Sequence, residues 1–188
     1  MAADSVEPSL HDREPWLRGP LPGVPPVLAP TLHAFAQARE DLARWTSGLT
    51  DAEIWSRPHG LAPVGFHLRH IAGSVDRLTA YIRGEQLTPK QLEAISHELD
   101  PGPEQSSSLI ELLKEVNEAL QNSERVIRAL DLKILSEPRF VGRKKLPTTV
   151  IGLVVHLAEH TQRHVGELIV TSKLARTSKT GRTRPIPS

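Results

Sequence analysis

The chain has 188 residues, enough for one domain with a buried core, and 38% of them are apolar. Its 23 Lys and Arg residues nearly balance its 22 Asp and Glu residues, which argues against a chain-wide basic surface for nucleic acid. The absence of cysteine excludes disulfides, thiolate metal sites and a cysteine nucleophile.

The sequence also lacks the usual marks of a membrane or secreted protein. No run approaches the roughly 18 apolar residues that a membrane span requires. Residues 1–15 are acidic and do not show the basic-then-apolar order of a signal peptide. We therefore expect a cytoplasmic protein that binds neither a membrane nor nucleic acid.

The two ends of the chain differ in composition from the middle. Residues 1–26 contain six prolines, which predicts an extended arm, and Trp16 and Leu17 are candidates to pin it to the body. Residues 176–188 are basic and rich in Ser and Thr, which predicts a solvated tail, with an RNA or partner contact as the alternative. The folded domain is expected over residues 27–175.

The first half of this domain contains two long helical patterns. The first covers about residues 27–48, and the spacing of Thr50 and Glu53 predicts a capping box that begins a short helical turn. The second covers residues 63–84, where apolar residues recur every three or four positions, as in the seam of a helical bundle.

A linker at about residues 85–105 separates the second helix from the third. It contains a predicted short helix and then a Pro-Gly-Pro breaker at residues 101–103. The third helix is expected to begin at Ser107 or Ser108, because Ser108 and Glu111 have the spacing of a capping box.

The last part of the domain combines a polar stretch with a fourth helix. Residues 136–147 predict either an irregular loop or a small hairpin, and the helix is expected over about residues 148–174. Strand signals are otherwise nearly absent. The sequence therefore predicts an all-α fold, a four-helix bundle with a long connection between helices 2 and 3.

Histidines interrupt the apolar stripe of the fourth predicted helix. Since residues four apart share a helix face, His160 and His164 can hold a single ion. A buried neutral imidazole needs a hydrogen-bond partner or a metal, so the alternative is a pair of satisfied core histidines. His156 lies one position off the stripe and is expected to be a neighbour. The stripe consists of Val150, Leu153, Leu157, His160, His164 and Leu168.

A transition metal would need a further protein ligand, and the second predicted helix offers two histidines. At about 100° per residue, His67 lies about 60° from the centre of the apolar seam and His70 about 120°. Helix geometry alone therefore favours His67 as the more buried of the two, and it does not select His70.

Two segments resemble the DinB-like (DinB/YfiT) superfamily, GFHLRHIAGSVDRL at 65–78 and HLAEHTQRHVGEL at 156–168. Its members are four-helix bundles with a three-histidine metal site. One ligand comes from a His-aliphatic-Ala motif on the second helix, which His70 matches. The other two come from an HxxxH motif on the last helix, which His160 and His164 match.

The resemblance implies a metal site formed by His70, His160 and His164, and it selects His70 over His67. Glutamine is common where this chain has Glu167, and arginine is common where it has Val165. These departures affect the surroundings of the ligands and leave the three histidines in place.

The resemblance also implies an enzyme that uses a divalent metal, with Zn or Ni expected. Activities in the superfamily include hydrolysis and the transfer of low-molecular-weight thiols, so a small-molecule substrate, such as a thiol, is expected. Glu167 is the preferred candidate to orient a ligand ring as part of the catalytic site. Other candidate charged groups are Glu159, Asp76, Arg77 and Arg163.

A different class of function stays open at this point. The histidines can instead be a core polar cluster or a vestigial site in a non-catalytic helical module. The function would then lie in dimerisation or partner binding, to which the proline-rich arm and the basic tail are suited. A homodimer is expected under either interpretation.

Overall fold

The computed structural model describes residues 13–98 and 107–180. Its four long helices are α1 (Ala29–Thr46), α3 (Val64–Ile82), α5 (Leu109–Arg128) and α6 (Val150–Thr180). The shorter elements are α2 (Asp51–Ile54), α4 (Pro89–Ser96), and the antiparallel strands β1 (Pro138–Val141) and β2 (Leu146–Thr149). The mostly helical structure confirms the predicted all-α class. Across the described ranges, every helix is too short or too polar to cross a membrane.

The long helices share one apolar core. Helix α3 packs against α5 and α6, and α1 packs against α6 and, less extensively, α5. The buried face of α3 is the predicted seam, since Val64, Leu68, Ile71 and Val75 are all buried. Because this stripe faces the core, the opposite and more polar side of α3 is left free to border a cleft.

Local sequence signals set most of the helix ends. The predicted capping boxes of Thr50 with Glu53 and of Ser108 with Glu111 both form. Pro63 caps α3, and the chain leaves that helix through Gly84, whose φ of 77° is the left-handed conformation that glycine tolerates best. The predicted short helix in the linker is α4, whereas the breaker at residues 101–103 lies outside the described residues.

The polar stretch before the last helix forms the hairpin of β1 and β2, which confirms the second of its two predicted conformations. Helix α6 then continues to Thr180, beyond the predicted end near residue 174. Ala175 is buried, and Arg176 donates hydrogen bonds to the backbone carbonyls of Trp45 and Ser47 at 2.9 and 2.8 Å. These contacts at the end of α1 explain the extra helical turn.

The N-terminal segment attaches to the body differently from the prediction. Trp16 is 63% exposed and Leu17 is also exposed, so the expectation that they pin the arm is wrong. Instead, Pro15 is buried, and Arg18 forms a two-pronged ion pair with Glu40 of α1. The indole of Trp16 stays exposed, and its Nε1–H donates to Oε2 of Glu14 at 2.6 Å.

Candidate metal centre

Packing of α3 against α6 brings together the histidines that the family resemblance selected. One ring nitrogen from each of His70, His160 and His164 lies within 4.8 Å of the other two. Nε2 of His70 and Nε2 of His160 lie 2.9 Å apart. The three side chains are half-buried, so the cluster lies at the edge of the core.

Glu98 determines how His70 faces the cluster. Its Oε2 accepts a hydrogen bond from Nδ1 of His70 at 2.7 Å, which leaves the Nε2 lone pair for the cluster. The other oxygen, Oε1, accepts from Nη1 of Arg77 at 2.5 Å. Burial raises the pKa of Glu98, but the hydrogen bonds from His70 and Arg77 outweigh it and hold that pKa below its usual value.

Gly73 provides the space in which this carboxylate lies. A Cβ atom at position 73 would lie 2.5 Å from Oε1 of Glu98 and 2.7 Å from Nη1 of Arg77. Both distances are far below van der Waals contact. A side chain at this position would therefore displace the ion pair from the surface of α3.

Two neighbours orient His164 in a similar way. Its Nδ1 lies 3.0 Å from Oε2 of Glu167 and 3.3 Å from Nδ1 of His67. His67 also forms a hydrogen bond with the backbone of Ala62 that raises its pKa, as a ring N–H donating to a carbonyl does. The Glu167 carboxylate accepts from Nδ1 of His164, so that nitrogen carries the proton and Nε2 of His164 is left for the cluster.

His160 differs from the other two histidines. Its Nδ1 is buried and has no hydrogen-bond partner among the described residues. Burial, together with the charges of the nearby imidazoles, lowers the pKa of His160 to about 4. The ring is therefore neutral at pH 7, and its Nε2 faces a lone pair of His70. A metal ion fits this arrangement because it accepts lone pairs from all three rings.

The family comparison agrees with this geometry. The family model described as the DinB superfamily matches residues 34–168, well over half of the chain. The chain belongs to the DinB superfamily. A search of curated proteins found no match to it. The matched range includes all three converging histidines, and a site for a metal ion accords with a metal-associated family.

Two further histidines of this DinB superfamily member, one on α3 and one on α6, lie where helix geometry predicts. His67 is 3% exposed, more buried than His70, and it contacts His164 without joining the group of three. The side chain of His156 is 47% exposed, and its Nδ1 lies 3.1 Å from Oε2 of Glu159. His156 is therefore a neighbour of the cluster, as the stripe on α6 indicated.

The candidate charged groups separate into two sets. Glu167 contacts His164 directly, and Arg77 reaches the cluster through Glu98. Glu159 pairs with Arg163 on the exposed face of α6. Asp76 accepts a hydrogen bond from Gln91 of α4 at 2.7 Å. Glu159, Arg163 and Asp76 therefore have partners of their own and do not contact the three histidines.

Sequence reasoning did not identify Glu98. It follows α4, inside the stretch of the linker that was predicted as a short helix, and 28 positions separate it from His70. No periodic pattern marks it. Metal-ligating histidines usually donate their second N–H to a carboxylate or carbonyl. This rule predicts that such a partner exists, but it does not say which residue it is.

Proposed function

We propose that this protein is a metal-dependent enzyme in which His70, His160 and His164 hold one divalent transition metal ion. Support comes from three imidazoles whose ring nitrogens converge on one point. Three protein ligands leave coordination positions for water or substrate, which is typical of catalytic sites. Imidazole ligands suit both Zn²⁺ and Ni²⁺, the two ions proposed.

The proposed reaction class is hydrolysis or the transfer of a low-molecular-weight thiol. A bound ion would supply a Lewis acid that lowers the pKa of a coordinated water or thiol. Glu98 keeps the proton of His70 on Nδ1, and Arg77 holds Glu98 in place. The three histidines would therefore meet the ion with their geometry already set.

Glu167 is the proposed catalytic carboxylate. Its Oε2 lies 3.0 Å from Nδ1 of His164, and its side chain is 50% exposed. It therefore contacts a ligand ring and solvent at once. In this position it can orient the His164 ring and exchange protons with solvent.

Metal analysis tests the proposal. Wild type, His160→Ala and His164→Ala would be purified without chelator or histidine tag and assayed for bound metal. We expect at least one equivalent in wild type and the loss of one equivalent or more in both variants, since two remaining imidazoles hold an ion poorly. His156→Ala, one turn away on the same helix, should keep the metal. Metal-free wild type would overturn the proposal and favour the non-catalytic helical module.

The reaction class needs a second assay. Metal-loaded wild type would be incubated with low-molecular-weight thiols plus electrophilic acceptors, and separately with simple esters and amides. Consumption of free thiol would support the transferase, and release of acid would support the hydrolase. Activity should disappear in His164→Ala and persist in His156→Ala.

Three further features belong to the proposal. The four long helices would form the four-helix bundle of the superfamily, with the long connection lying between α3 and α5. The protein would act on a small molecule in the cytoplasm, with which the absence of cysteine is consistent. It would assemble as a homodimer, which light scattering coupled to size-exclusion chromatography tests directly.

A further inference from the structure

We infer that His67, His164 and Glu167 form a second metal site that shares His164 with the first. Nδ1 of His67 lies 3.3 Å from Nδ1 of His164, and Oε2 of Glu167 lies 3.0 Å from the same His164 atom. Nδ1 of His67 and Oε2 of Glu167 are 3.5 Å apart. The three atoms therefore form a nearly equilateral triangle.

The size of this triangle suits a tetrahedrally coordinated metal ion. Bonds of about 2.0–2.1 Å in tetrahedral geometry place neighbouring ligand atoms about 3.3 to 3.4 Å apart. The three edges of the triangle bracket that separation. An ion could therefore bind here with shifts of only a few tenths of an ångström in any side chain.

The ligand chemistry is also suitable. Nδ1 of His67 lies inside the core, 3.3 Å from Nδ1 of His164, and with the ring proton on Nε2 it offers a lone pair to the site. The half-exposed carboxylate of Glu167 adds the negative charge that the group of three histidines lacks. Two imidazoles and one carboxylate are a common ligand set for catalytic zinc.

A pocket provides access to this second site. It has a volume of about 310 Å³, and His67 and Glu167 both line it. An ion held by these residues would have room for water or a small ligand at its open position. The other lining residues are largely apolar: Leu61, Ala62, Val170 and Thr171.

His164 would bridge the two ions. Its Nε2 serves the first site, which rests on the proposed function, and its Nδ1 serves the second. Binding of the second ion replaces the Nδ1 proton, which is released to solvent, and the ring becomes an imidazolate. The pair would be a two-metal centre with one shared ligand, whose second ion faces the pocket.

Copper titration of the full-length, tag-free, metal-free chain tests this inference. Calorimetry should give two equivalents of Cu²⁺ for wild type. The electron paramagnetic resonance signal should be largely lost at two equivalents, because the imidazolate couples the two spins. Glu167→Gln and His67→Gln should each bind one equivalent with a full, uncoupled signal. Glu167 is half-exposed, so its variant keeps the test valid if His67→Gln fails to fold.

Two further variants separate this inference from the proposed function. His70→Ala should bind one uncoupled equivalent at the second site, and His156→Ala should behave as wild type. A single wild-type equivalent that His70→Ala loses and Glu167→Gln keeps would overturn the second site alone. A single wild-type equivalent that Glu167→Gln loses and His70→Ala keeps would overturn both the bridged pair and the proposed ligand set. Two equivalents in Glu167→Gln would place the second ion elsewhere and overturn the inference.

Discussion

The three converging imidazoles differ in what holds the nitrogen that faces away from the cluster. Glu98 holds that of His70, and Glu167 and His67 hold that of His164. Nδ1 of His160 has no such partner among the described residues. His70 and His164 are therefore pre-oriented, while His160 is fixed by its place on α6 and by what binds its inner nitrogen.

Replacing Glu98 tests this pre-orientation. In Glu98→Gln the amide oxygen accepts the His70 hydrogen bond more weakly than a carboxylate does, and the ion pair with Arg77 is lost. We expect Zn²⁺ affinity to fall about 10- to 100-fold, as measured by calorimetry. Glu93→Gln, on the exposed side of α4, should bind as wild type. Unchanged affinity in Glu98→Gln would show that Glu98 does not orient the ligand.

Gly73→Ala disturbs the same carboxylate without removing it. The new Cβ displaces Glu98 and Arg77, but these are ends of flexible side chains, so the free energy of unfolding should change little. Zn²⁺ affinity should fall as in Glu98→Gln. Gly166→Ala is the matched control, because a Cβ there has nothing within 4 Å, and we expect a gain of about 0.5–1 kcal/mol in stability.

Helices α4 and α5 begin with the same capping motif but have different roles in the fold. Helix α5 buries several residues in the core, whereas α4 buries none. Polar contacts hold the α4 segment, including Gln91 with Asp76 and Arg77 with Glu98. Since α4 buries no residue of its own in the core, we expect it to open independently of the rest of the molecule.

Removal of each cap distinguishes these roles. Ser108→Ala should lower the free energy of unfolding by about 1 kcal/mol in urea denaturation, because a cap of a core helix is lost. Thr88→Ala removes the equivalent cap of α4, and it should leave global unfolding unchanged while hydrogen exchange in α4 becomes faster. Equal losses of stability in the two variants would mean that α4 belongs to the cooperative core.

At the scale of the whole molecule, neutral imidazoles in the core link folding to pH. Burial lowers the pKa values of His67 and His160 to about 4, from an ordinary value of about 6.5. Between these pH values, both rings are protonated in the unfolded chain and neutral in the folded one. The unfolded chain then binds more protons, so stability rises with pH across this window.

For the metal-free protein, we expect the free energy of unfolding to decrease steadily from about pH 6.5 to pH 4 and to change little just above that range. Urea denaturation at several pH values measures this. His67→Gln should show a shallower slope, because one of the two contributing rings is absent. Identical slopes in the variant and wild type would contradict the assigned role of His67.

The sequence by itself determined the features that depend on neighbours along the chain. Local hydrogen bonding predicts the capping boxes at Thr50 and Ser108. Helical periodicity predicts the seam of α3 and the shared face of His160 and His164. The relative burial of His67 was predicted in the same way. The choice of His70 came from family resemblance, since the angle on the helix favoured its neighbour.

Tertiary packing decided the features that join distant parts of the chain. Glu98 reaches His70 across 28 positions, and His67 contacts His164 across 97. The extra turn of α6 likewise depends on carbonyls at the end of α1, to which Arg176 donates. Such contacts leave no periodic signal, because they depend on how the helices and the linker pack together. That packing decides which nitrogen of each histidine is free to bind a metal.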